Sequence, residues 1–361
     1  MSTLKVDAIR HNSATSDAIT TVADGTCTAK LTDVGGGQLS NRNMIINGAM
    51  MISQRGTDAL SVTNSGQNYQ VDMYRARSQG GQFSIQQVAD APSGTGLYNS
   101  LKVQVTSADT SLASSAYHEI IQYIEGYNFL PSEYGGSGAK TCTLSFYVKS
   151  NVTGTHTGAV GNVGNNRGFG FNYTISSANT WERKTITIPG DTTGSWNKGN
   201  NVGLKVIFSL GIGSSFATAN VSTWETRETM GAVAGNYNLM VSTSNYIYFT
   251  GIQFEVGEQA TPFEHRGRQE ELTRCQRYYA KGRTELCFNG VSGRYGWRTL
   301  GQYNMRATPT VSATFGSSGM GSIQGYGARR ESHTDATQIL VQTTPGAGAD
   351  GYYIYEATAE Y

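Results

Sequence analysis

Charged residues are scarce in this sequence. They make up 15% of the 361 residues, whereas globular proteins usually carry about a quarter. The formal net charge is only +1, so there is no basic excess to attract nucleic acid or an anionic membrane surface. The most basic stretch, residues 264–283, also contains glutamates. We therefore expect a solvated helix with internal ion pairs there, and no nucleic-acid partner.

Cysteine and long apolar runs are also scarce. The cysteines are Cys27, Cys142, Cys275 and Cys287, and none has CxxC spacing. Since nothing suggests secretion, we expect free thiols, with Cys142 serving as a small core residue. No apolar run approaches the roughly 18 residues of a membrane span. The opening MSTLKVDAIR lacks the apolar core of a signal peptide. These absences predict synthesis in the cytoplasm and no membrane insertion.

Glycine and tyrosine are abundant, with 45 and 21 residues, which is typical of many short strands joined by tight turns. Apolar residues alternate with period two in several segments, and this predicts half-buried strands. The alternating sets are Tyr69, Val71 and Met73; Phe83 and Ile85; Leu101, Val103 and Val105; Cys142, Leu144, Phe146 and Val148; Phe169, Phe171, Tyr173 and Ile175; Ile186 and Ile188; and Val202, Leu204, Val206, Phe208 and Leu210. An all-β fold follows, in which residues 42–264 form a jelly-roll-like antiparallel β-sandwich.

Two further segments flank the expected sandwich. Residues 1–41 have few large apolar side chains and cannot bury a core alone. We expect an extended N-terminal arm there, with short strands and a turn at Asp24 and Gly25. Residues 284–361 are predicted to form a small C-terminal β domain with a thin core, which is easier to stabilise in an oligomer.

The last strand of the sandwich is predicted to contain a β-bulge. Ile247 and Phe249 lie on one face, and Ile252 and Phe254 continue one residue out of step. Gly251 sits at the slip, where an extra residue would restore the inward face.

A single linker helix is predicted within residues 265–283, at about 268–281. Gly282 would be its C-terminal stop. Leu272, Cys275 and Tyr279 form an apolar stripe at helical spacing. We expect this stripe to pack against the sandwich or against its own copies in an oligomer.

The sequence contains no recognisable motif for a catalytic, metal or cofactor site. The 5 histidines have no i, i+4 pair and no cysteine partner at useful spacing. There is no dense Asp cluster for calcium and no nucleophile elbow. Hydrolysis of a polysaccharide would require two carboxylates on facing strands. Four carboxylates could meet only through the fold: Asp72, Glu119, Glu225 and Glu228.

Exposed rings are the candidates for binding a glycan, because flat aromatic surfaces pack against the apolar faces of sugars while polar side chains bind the hydroxyls. The candidate rings are Trp196 in a Gly/Asn-rich loop, Trp224, Tyr295 and Trp297. A second polar-aromatic loop is predicted around Tyr326, Arg329, Arg330 and His333. For each ring the competing interpretation is packing in the core or in an oligomer contact.

Three segments carry a resemblance to a known family. They are NRNMIINGAMMISQRGT (41–57), TGIQFEVGEQATPFEHRGRQEELTRCQRYY (250–279) and the opening STLKVDAI, followed by AITTVADGT. Together they resemble tail-fibre and virion structural proteins of tailed bacteriophages, especially marine phages. In that family the first two motifs bracket a sandwich. Trp181, followed by Glu and Arg before a predicted strand, is similar to carbohydrate-binding jelly rolls.

The resemblance implies a homotrimer in the phage virion that recognises a polysaccharide or protein receptor on the host surface. Residues 1–41 would attach it to other phage tail proteins, and the linker helix would lie near the trimer axis. Two alternatives stay open. One is a polysaccharide depolymerase, and the other is a purely structural tail spacer or capsid decoration protein.

Overall fold

A computed structural model describes most of the chain. The described residues are 8–9, 19–21, 27–29, 40–63, 66, 68–164, 167–218, 220–226, 231–235, 237–287, 296–316, 321–330, 337–345 and 350–361. The turn predicted at Asp24 and Gly25 lies outside these residues. No helix in this part of the chain is long and apolar enough to cross a lipid bilayer.

The N-terminal arm contains three short strands. They are β1 (Ala8–Ile9), β2 (Ile19–Thr21) and β3 (Cys27–Ala29), and they form one antiparallel sheet. Thr21 pairs with Cys27, so β2 and β3 flank the predicted turn. The prediction of short strands in this segment is confirmed.

Residues 40–256 form an antiparallel β-sandwich of jelly-roll type. Its first strands are β4 (Leu60–Val62), β5 (Asn68–Tyr69), β6 (Tyr74–Gln79), β7 (Gln82–Val88), β8 (Ser100–Ser107) and β9 (Tyr117–Glu125). A one-turn helix α1 (Gly126–Phe129) and a 3₁₀ turn (Leu130–Ser132) follow. The remaining strands are β10 (Cys142–Ser150), β11 (Gly154–Gly161), β12 (Gly168–Ile175), β13 (Glu182–Ile188), β14 (Val202–Ile212), β15 (Ala217–Thr218), β16 (Trp224–Glu225), β17 (Ala232–Val233) and β18 (Tyr246–Val256), with a second 3₁₀ turn (Leu239–Val241) before β18.

The sandwich has two layers. Sheet A has the strand order β13-β10-β18-β8-β7-β4, and sheet B has the order β16-β12-β11-β14-β9-β6-β5. Strands β15 and β17 form a separate parallel pair. Most of the alternating residues predicted to face inward are buried, including Phe146, Phe171, Phe208 and Phe249, whereas Ile186 and Val202 are partly buried. The predicted fold class is therefore confirmed, because period-two alternation places one side of every long strand in the shared core.

The set Tyr69, Val71 and Met73 is buried but does not form one strand, as the alternation had predicted. Strand β5 ends at Tyr69, and β6 begins at Tyr74. Met73 has a φ of 76°, which no extended strand adopts. The chain turns between the two strands and buries all three side chains within the turn and its flanks.

The predicted bulge at Gly251 is present. In the β10–β18 pairing, Ser145 faces Gln253 and Tyr147 faces Thr250, so two residues of β18 lie opposite Phe146. Gly251 has a φ of +58°, the left-handed region that glycine adopts without steric cost. The extra residue returns Ile252 to the core face, where it is 1% exposed.

The two bracketing motifs lie side by side and form a buried polar clasp, which we define as Asn43, Asn47, Glu264, Arg266 and Glu271. Asn43 Nδ2 donates to Ile252 O at 3.0 Å, and Asn43 Oδ1 accepts from Phe254 N at 3.1 Å.

Glu264 accepts the backbone N–H groups of Arg42 and Asn43, each at 3.0 Å. Arg266 donates to Ile45 O at 3.0 Å and to Asn43 O. Glu271 accepts from Asn47 N. The clasp therefore ties the start of the sandwich to its last strand and to the helix that follows.

The linker helix α2 (Arg268–Gln276) is shorter than predicted. The predicted end near Lys281 is wrong, because Tyr279 starts a strand whose backbone pairs with Thr358. Gly282 lies inside that strand rather than at a helix stop. A Cβ at position 282 would collide with the Tyr355 hydroxyl, so this glycine permits a close approach between strands.

The apolar stripe packs against the sandwich, as one of the two alternatives predicted. Cys275 is a buried free thiol, and it clusters with Ile46, Ile52, Met73 and Tyr278, with Leu272 at the edge. Tyr278 takes the place that the helical spacing assigned to Tyr279. Tyr279 is also buried, but its ring packs under the Arg55 guanidinium, 3.4 Å from the ring centroid.

The C-terminal block consists of two three-stranded sheets. Its strands are β19 (Tyr279–Cys287), β20 (Gly296–Tyr303), β21 (Thr310–Gly316), β22 (Gly321–Arg330), β23 (Thr337–Pro345) and β24 (Asp350–Thr358). The sheet orders are β19-β24-β21 and β20-β23-β22. Strand β19 crosses the predicted domain boundary at residue 284, because the linker continues directly into this sheet.

The end of the chain returns to the sandwich. Ala359 N donates to Tyr278 O at 2.7 Å, and the Tyr361 hydroxyl donates to Asn200 O at 2.9 Å. The side chain of Glu360 is 3% exposed and forms an ion pair with Arg55 at 2.5 Å. A buried carboxylate therefore holds the last strand in place. Burial raises the pKa of Glu360 to about 7.

Replacing Gly251 with alanine is expected to destabilise the sandwich by about 2–3 kcal/mol, because the new Cβ adopts a strained φ. It would also lie 2.8 Å from Leu97 and 2.9 Å from Tyr147. The free energy of unfolding from urea denaturation measures the effect. Gly136→Ala is the matched control, since a Cβ there has nothing within 4 Å. Equal stability of the two variants would contradict the role of the bulge.

Glu360 is expected to make stability depend on pH. Its pKa rises from 4.5 to about 7 on folding, so between these values the folded state binds the extra proton. This stabilisation is complete below about pH 4.5 and is lost as the pH rises through about 7. Between about pH 5 and about pH 8, the free energy of unfolding of the wild type should fall by roughly 1–3 kcal/mol more than that of Glu360→Gln.

The comparison with Glu360→Gln isolates this residue. Burial lowers the pKa of His118 and of His156, and these groups act in the opposite direction in both proteins. Parallel stability–pH curves for the two proteins would rule out titration of Glu360 as the cause.

Candidate functional site

The ring of Trp196 lies in the core rather than on the surface, so its predicted role as an exposed sugar-binding ring is wrong. It is 6% exposed and packs on Phe129, Tyr134 and Trp224 with ring centroids 5.0–5.5 Å away. Its indole N–H donates to Thr193 O at 3.1 Å. The Gly/Asn-rich loop therefore folds inward and closes one end of the sandwich.

Trp224 joins the same aromatic corner and is half-buried. Its indole N–H donates to Pro189 O at 2.7 Å, and its ring contacts Phe169 at 5.4 Å between centroids. The structure thus brings Trp196 and Trp224 together, but as packing partners.

The remaining predicted rings and arginines fall on the C-terminal block. Tyr295 and His333 lie outside the described residues. Trp297 lies on β20, and Tyr326, Arg329 and Arg330 lie on β22. The predicted polar-aromatic loop is therefore largely a strand, because residues 321–330 pair with β23 along their length.

The carboxylates considered for hydrolysis bind separate local partners. Asp72 accepts from Gln54 N at 2.9 Å and from Gln54 Nε2 at 2.6 Å. Glu119 accepts from Arg77, and Glu225 accepts from Thr218 at 2.8 Å. Glu228 lies outside the described residues. Each of the three described carboxylates is thus held by its own neighbours.

Metal ligands do not converge anywhere in the described residues: no group of three or more His, Cys, Asp or Glu side chains there could hold an ion.

A Ser–His–Asp arrangement that the sequence did not reveal lies beside β6 and β9. Ser78 Oγ is 2.8 Å from His118 Nδ1, and His118 Nε2 is 3.2 Å from Asp109 Oδ2. The Ser78 hydroxyl also donates to Gly81 O at 2.6 Å. Ser78 and His118 are 1% and 0% exposed. A substrate has no access to the hydroxyl, so these residues hold the β6–β7 turn together.

The outer face of sheet A carries a different aromatic group. Tyr246 and Tyr248 alternate along β18 with the buried Ile247 and Phe249, so the tyrosine rings point away from the core. The two tyrosine rings are 5.5 Å apart at an angle of 89°. Both are half-buried and present apolar surface on the outer side of the sheet.

Trp181 completes this group from the neighbouring strand edge. It directly precedes β13, and its ring lies 6.2 Å from Tyr248 at 75°. Its indole N–H donates to Asp90 Oδ1 at 3.1 Å. Asp90 also forms an ion pair with Lys149. The loop that follows β7 therefore fixes the orientation of the Trp181 ring.

Hydrogen bonding controls the charge of Asp90. Partial burial would raise the pKa of its carboxyl, but the hydrogen bonds from Lys149 and Trp181 outweigh burial and hold the pKa below its usual range. Asp90 is thus ionised at neutral pH and available to orient both donors.

Register places these side chains in one line across the sheet. Lys149 of β10 pairs with Tyr248 of β18, Tyr248 pairs with Lys102 of β8, and Lys102 pairs with Gln86 of β7. We call the line of Trp181, Lys149, Tyr248, Lys102 and Gln86 the outer row. It crosses four adjacent strands and their edge, a span of about 19 Å at roughly 4.8 Å per strand.

Polar groups border the outer row. The Tyr246 hydroxyl donates to Asn179 Oδ1 at 2.5 Å, and Gln104 lies beside Tyr246 in the next row. Aromatic rings flanked by amides and charged groups can bind a flat, hydroxyl-rich ligand. A sequence signal for these tyrosines existed, because they occupy the polar phase of an alternating strand.

Solved structures similar to this chain include carbohydrate-binding modules and a tailspike domain, whereas no protein-family model and no curated protein matches. The enzymatically active domain of tailspike protein 4 from bacteriophage CBA120 is 11% identical, with a TM-score of 0.31, over 59% of this chain and 21% of that chain. The family 11 carbohydrate-binding module of the cellulase Lic26A-Cel5E from Clostridium thermocellum is 14% identical, with a TM-score of 0.28. The match covers 59% of this chain and 99% of that module.

A third similar structure is the N-terminal cellulose-binding domain of β-1,4-glucanase C from Cellulomonas fimi. It is 8% identical, with a TM-score of 0.21, over 56% of this chain and 90% of that domain. At TM-scores this low, the similarities carry no argument about function, which has to be argued from the residues of this chain.

Proposed function

We propose that this protein is a structural and adhesive subunit of a phage tail fibre that recognises a glycan on the host surface. The observation that carries glycan recognition is the outer row, which places the half-buried rings of Trp181 and Tyr248 together on the outer side of sheet A. Tyr246, Asn179 and Gln104 extend this face with a third ring and two amides. Stacking on the rings would supply most of the affinity, and the amides would read the hydroxyl groups.

The role in the virion rests on the family resemblance of the bracketing motifs. Under this proposal, residues 1–41 attach the subunit to other tail proteins, and the sandwich carries the receptor site. The buried clasp supports a shared architecture, because the family-like residues Asn43, Glu264 and Arg266 are used to close the fold.

Binding without hydrolysis is part of the proposal. Asp72, Glu119 and Glu225 are each engaged by different neighbours, and none of them belongs to the outer row. Release of reducing ends from a host polysaccharide during the binding assay would favour the depolymerase alternative.

Trp181→Ala is expected to weaken binding to polysaccharide extracted from the host surface by about tenfold, because truncating an aromatic anchor of a binding surface costs about 1–2 kcal/mol. Trp181→Phe should retain part of the affinity. Isothermal titration calorimetry measures the dissociation constants. Tyr127→Ala is the matched control, since this tyrosine is 56% exposed and lies on α1. Unchanged affinity in Trp181→Ala would remove the outer row from the receptor site.

A homotrimer is expected in solution. In the described part of the C-terminal block, one small cluster is buried: Met305, Val311, Ile339, Tyr355, Ala357 and Ala359. Such a thin core is typical of a domain stabilised by neighbours. Light scattering at micromolar concentration should give about three times the 38.8 kDa chain mass. A monomer under these conditions would contradict the tail-fibre proposal.

A further inference from the structure

We infer that the ligand of the outer row is an acidic polysaccharide, with a carboxylate placed over Lys102. The inference rests on the proposed function, since it specifies the class of glycan that the row binds. It follows from the order of charges and rings across sheet A, together with the partners of each charged group.

The outer row alternates cations with aromatic rings. Lys149 Nζ lies 5.1 Å from the Trp181 ring centroid and 4.6 Å from that of Tyr248. Lys102 Nζ lies 5.8 Å from the Tyr248 centroid. Both distances to Tyr248 are within cation–π range, so an ammonium group stands near this ring from each neighbouring strand.

The two lysines differ in how they are neutralised. Lys149 pairs with Asp90, whereas the ion pairs found among the described residues include none with Lys102. The neighbours of Lys102 across the strands are Tyr248 and Gln86. Among the residues that the structure describes, Lys102 therefore has no ion-pair partner.

A further basic side chain lies beyond the row. Arg183 precedes Lys184 on β13, pairs with Tyr147 across the sheet and donates to the backbone oxygen of Thr261 at 2.6 Å. Thr261 also donates to the Glu255 carboxylate, so an acid lies near Arg183. Among the described residues of the outer row itself, Asp90 neutralises Lys149, and Lys102 supplies the positive charge that has no ion-pair partner.

The positive charge of Lys102 favours an anionic ligand, and the aromatic rings of the outer row favour the apolar face of a sugar. A uronic-acid residue stacked near Tyr248 would bring its carboxylate to Lys102, while the next residues of a linear chain would continue across the strands toward Trp181. Exposed ion pairs of this kind add modest affinity and considerable selectivity, and salt screens them. A neutral glycan would make the same ring contacts but leave Lys102 unpaired.

The test uses alginate, polygalacturonate and hyaluronan, each beside its carboxyl-reduced form, with the full-length protein. Wild type should bind at least one acidic polymer about five times more tightly than its reduced form, and the difference should shrink as salt is raised. Lys102→Gln should weaken binding to that acidic polymer about three- to fivefold and change binding to the reduced form by less than about twofold. Lys198→Gln, an exposed lysine in the loop before β14, is the control.

The outcomes separate this inference from the proposed function. Equal affinity for acidic and reduced polymers, lost together in Trp181→Ala, would overturn the acidic preference and leave glycan recognition standing. Binding to no polymer of the panel would overturn the acidic preference as well, and failure to bind host polysaccharide would then overturn the proposed function. A selective loss in Lys102→Gln that Lys198→Gln does not share would support the inference.

Discussion

The buried polar clasp is the interaction on which the rest of the structure depends. It joins residues separated by more than two hundred positions: Asn43 bonds to both Ile252 and Phe254 of the last sandwich strand. Buried polar groups are costly unless every donor and acceptor is paired. The carboxylate of Glu264 takes two backbone donors, which compensates for its partial burial, whereas Arg266 Nε in the same clasp has no hydrogen-bond partner among the described residues. Through Glu271, which accepts from Asn47 N, the clasp also reaches α2.

The two faces of sheet A carry different kinds of side chain. The inward phase of β18 fills the core with Ile247 and Phe249, while the outward phase presents Tyr246 and Tyr248. The bulge at Gly251 separates this outer aromatic part from the half of β18 that the clasp grips. Side chains on the outer face can therefore change without disturbing core packing.

Much of the fold could be predicted from the sequence, because burial on one face leaves a period of two in every long strand. The period of two predicted the inward residues of β10, β12 and β14, and its interruption predicted the bulge at Gly251. The start of α2 at Arg268 agrees with the prediction, but its C-terminal end could not be predicted. Helical spacing continued to Tyr279, but pairing of Tyr279 with Thr358 outweighed local propensity. The candidate site was harder to predict. The Gly/Asn-rich sequence around Trp196 indicated an exposed ring in a loop, and only the tertiary contacts of Trp196 show that it fills the core.

The sequence by itself determined the all-β class, the alternation of the long strands and the slip at Gly251, since these depend on local sterics and on which side chains avoid water. Only the tertiary structure decided which residues share a surface. Trp181, Lys149, Tyr248 and Lys102 lie on four separate segments of the chain, and strand register alone brings them into one row. Register depends on the packing of the whole sandwich, which no single segment encodes.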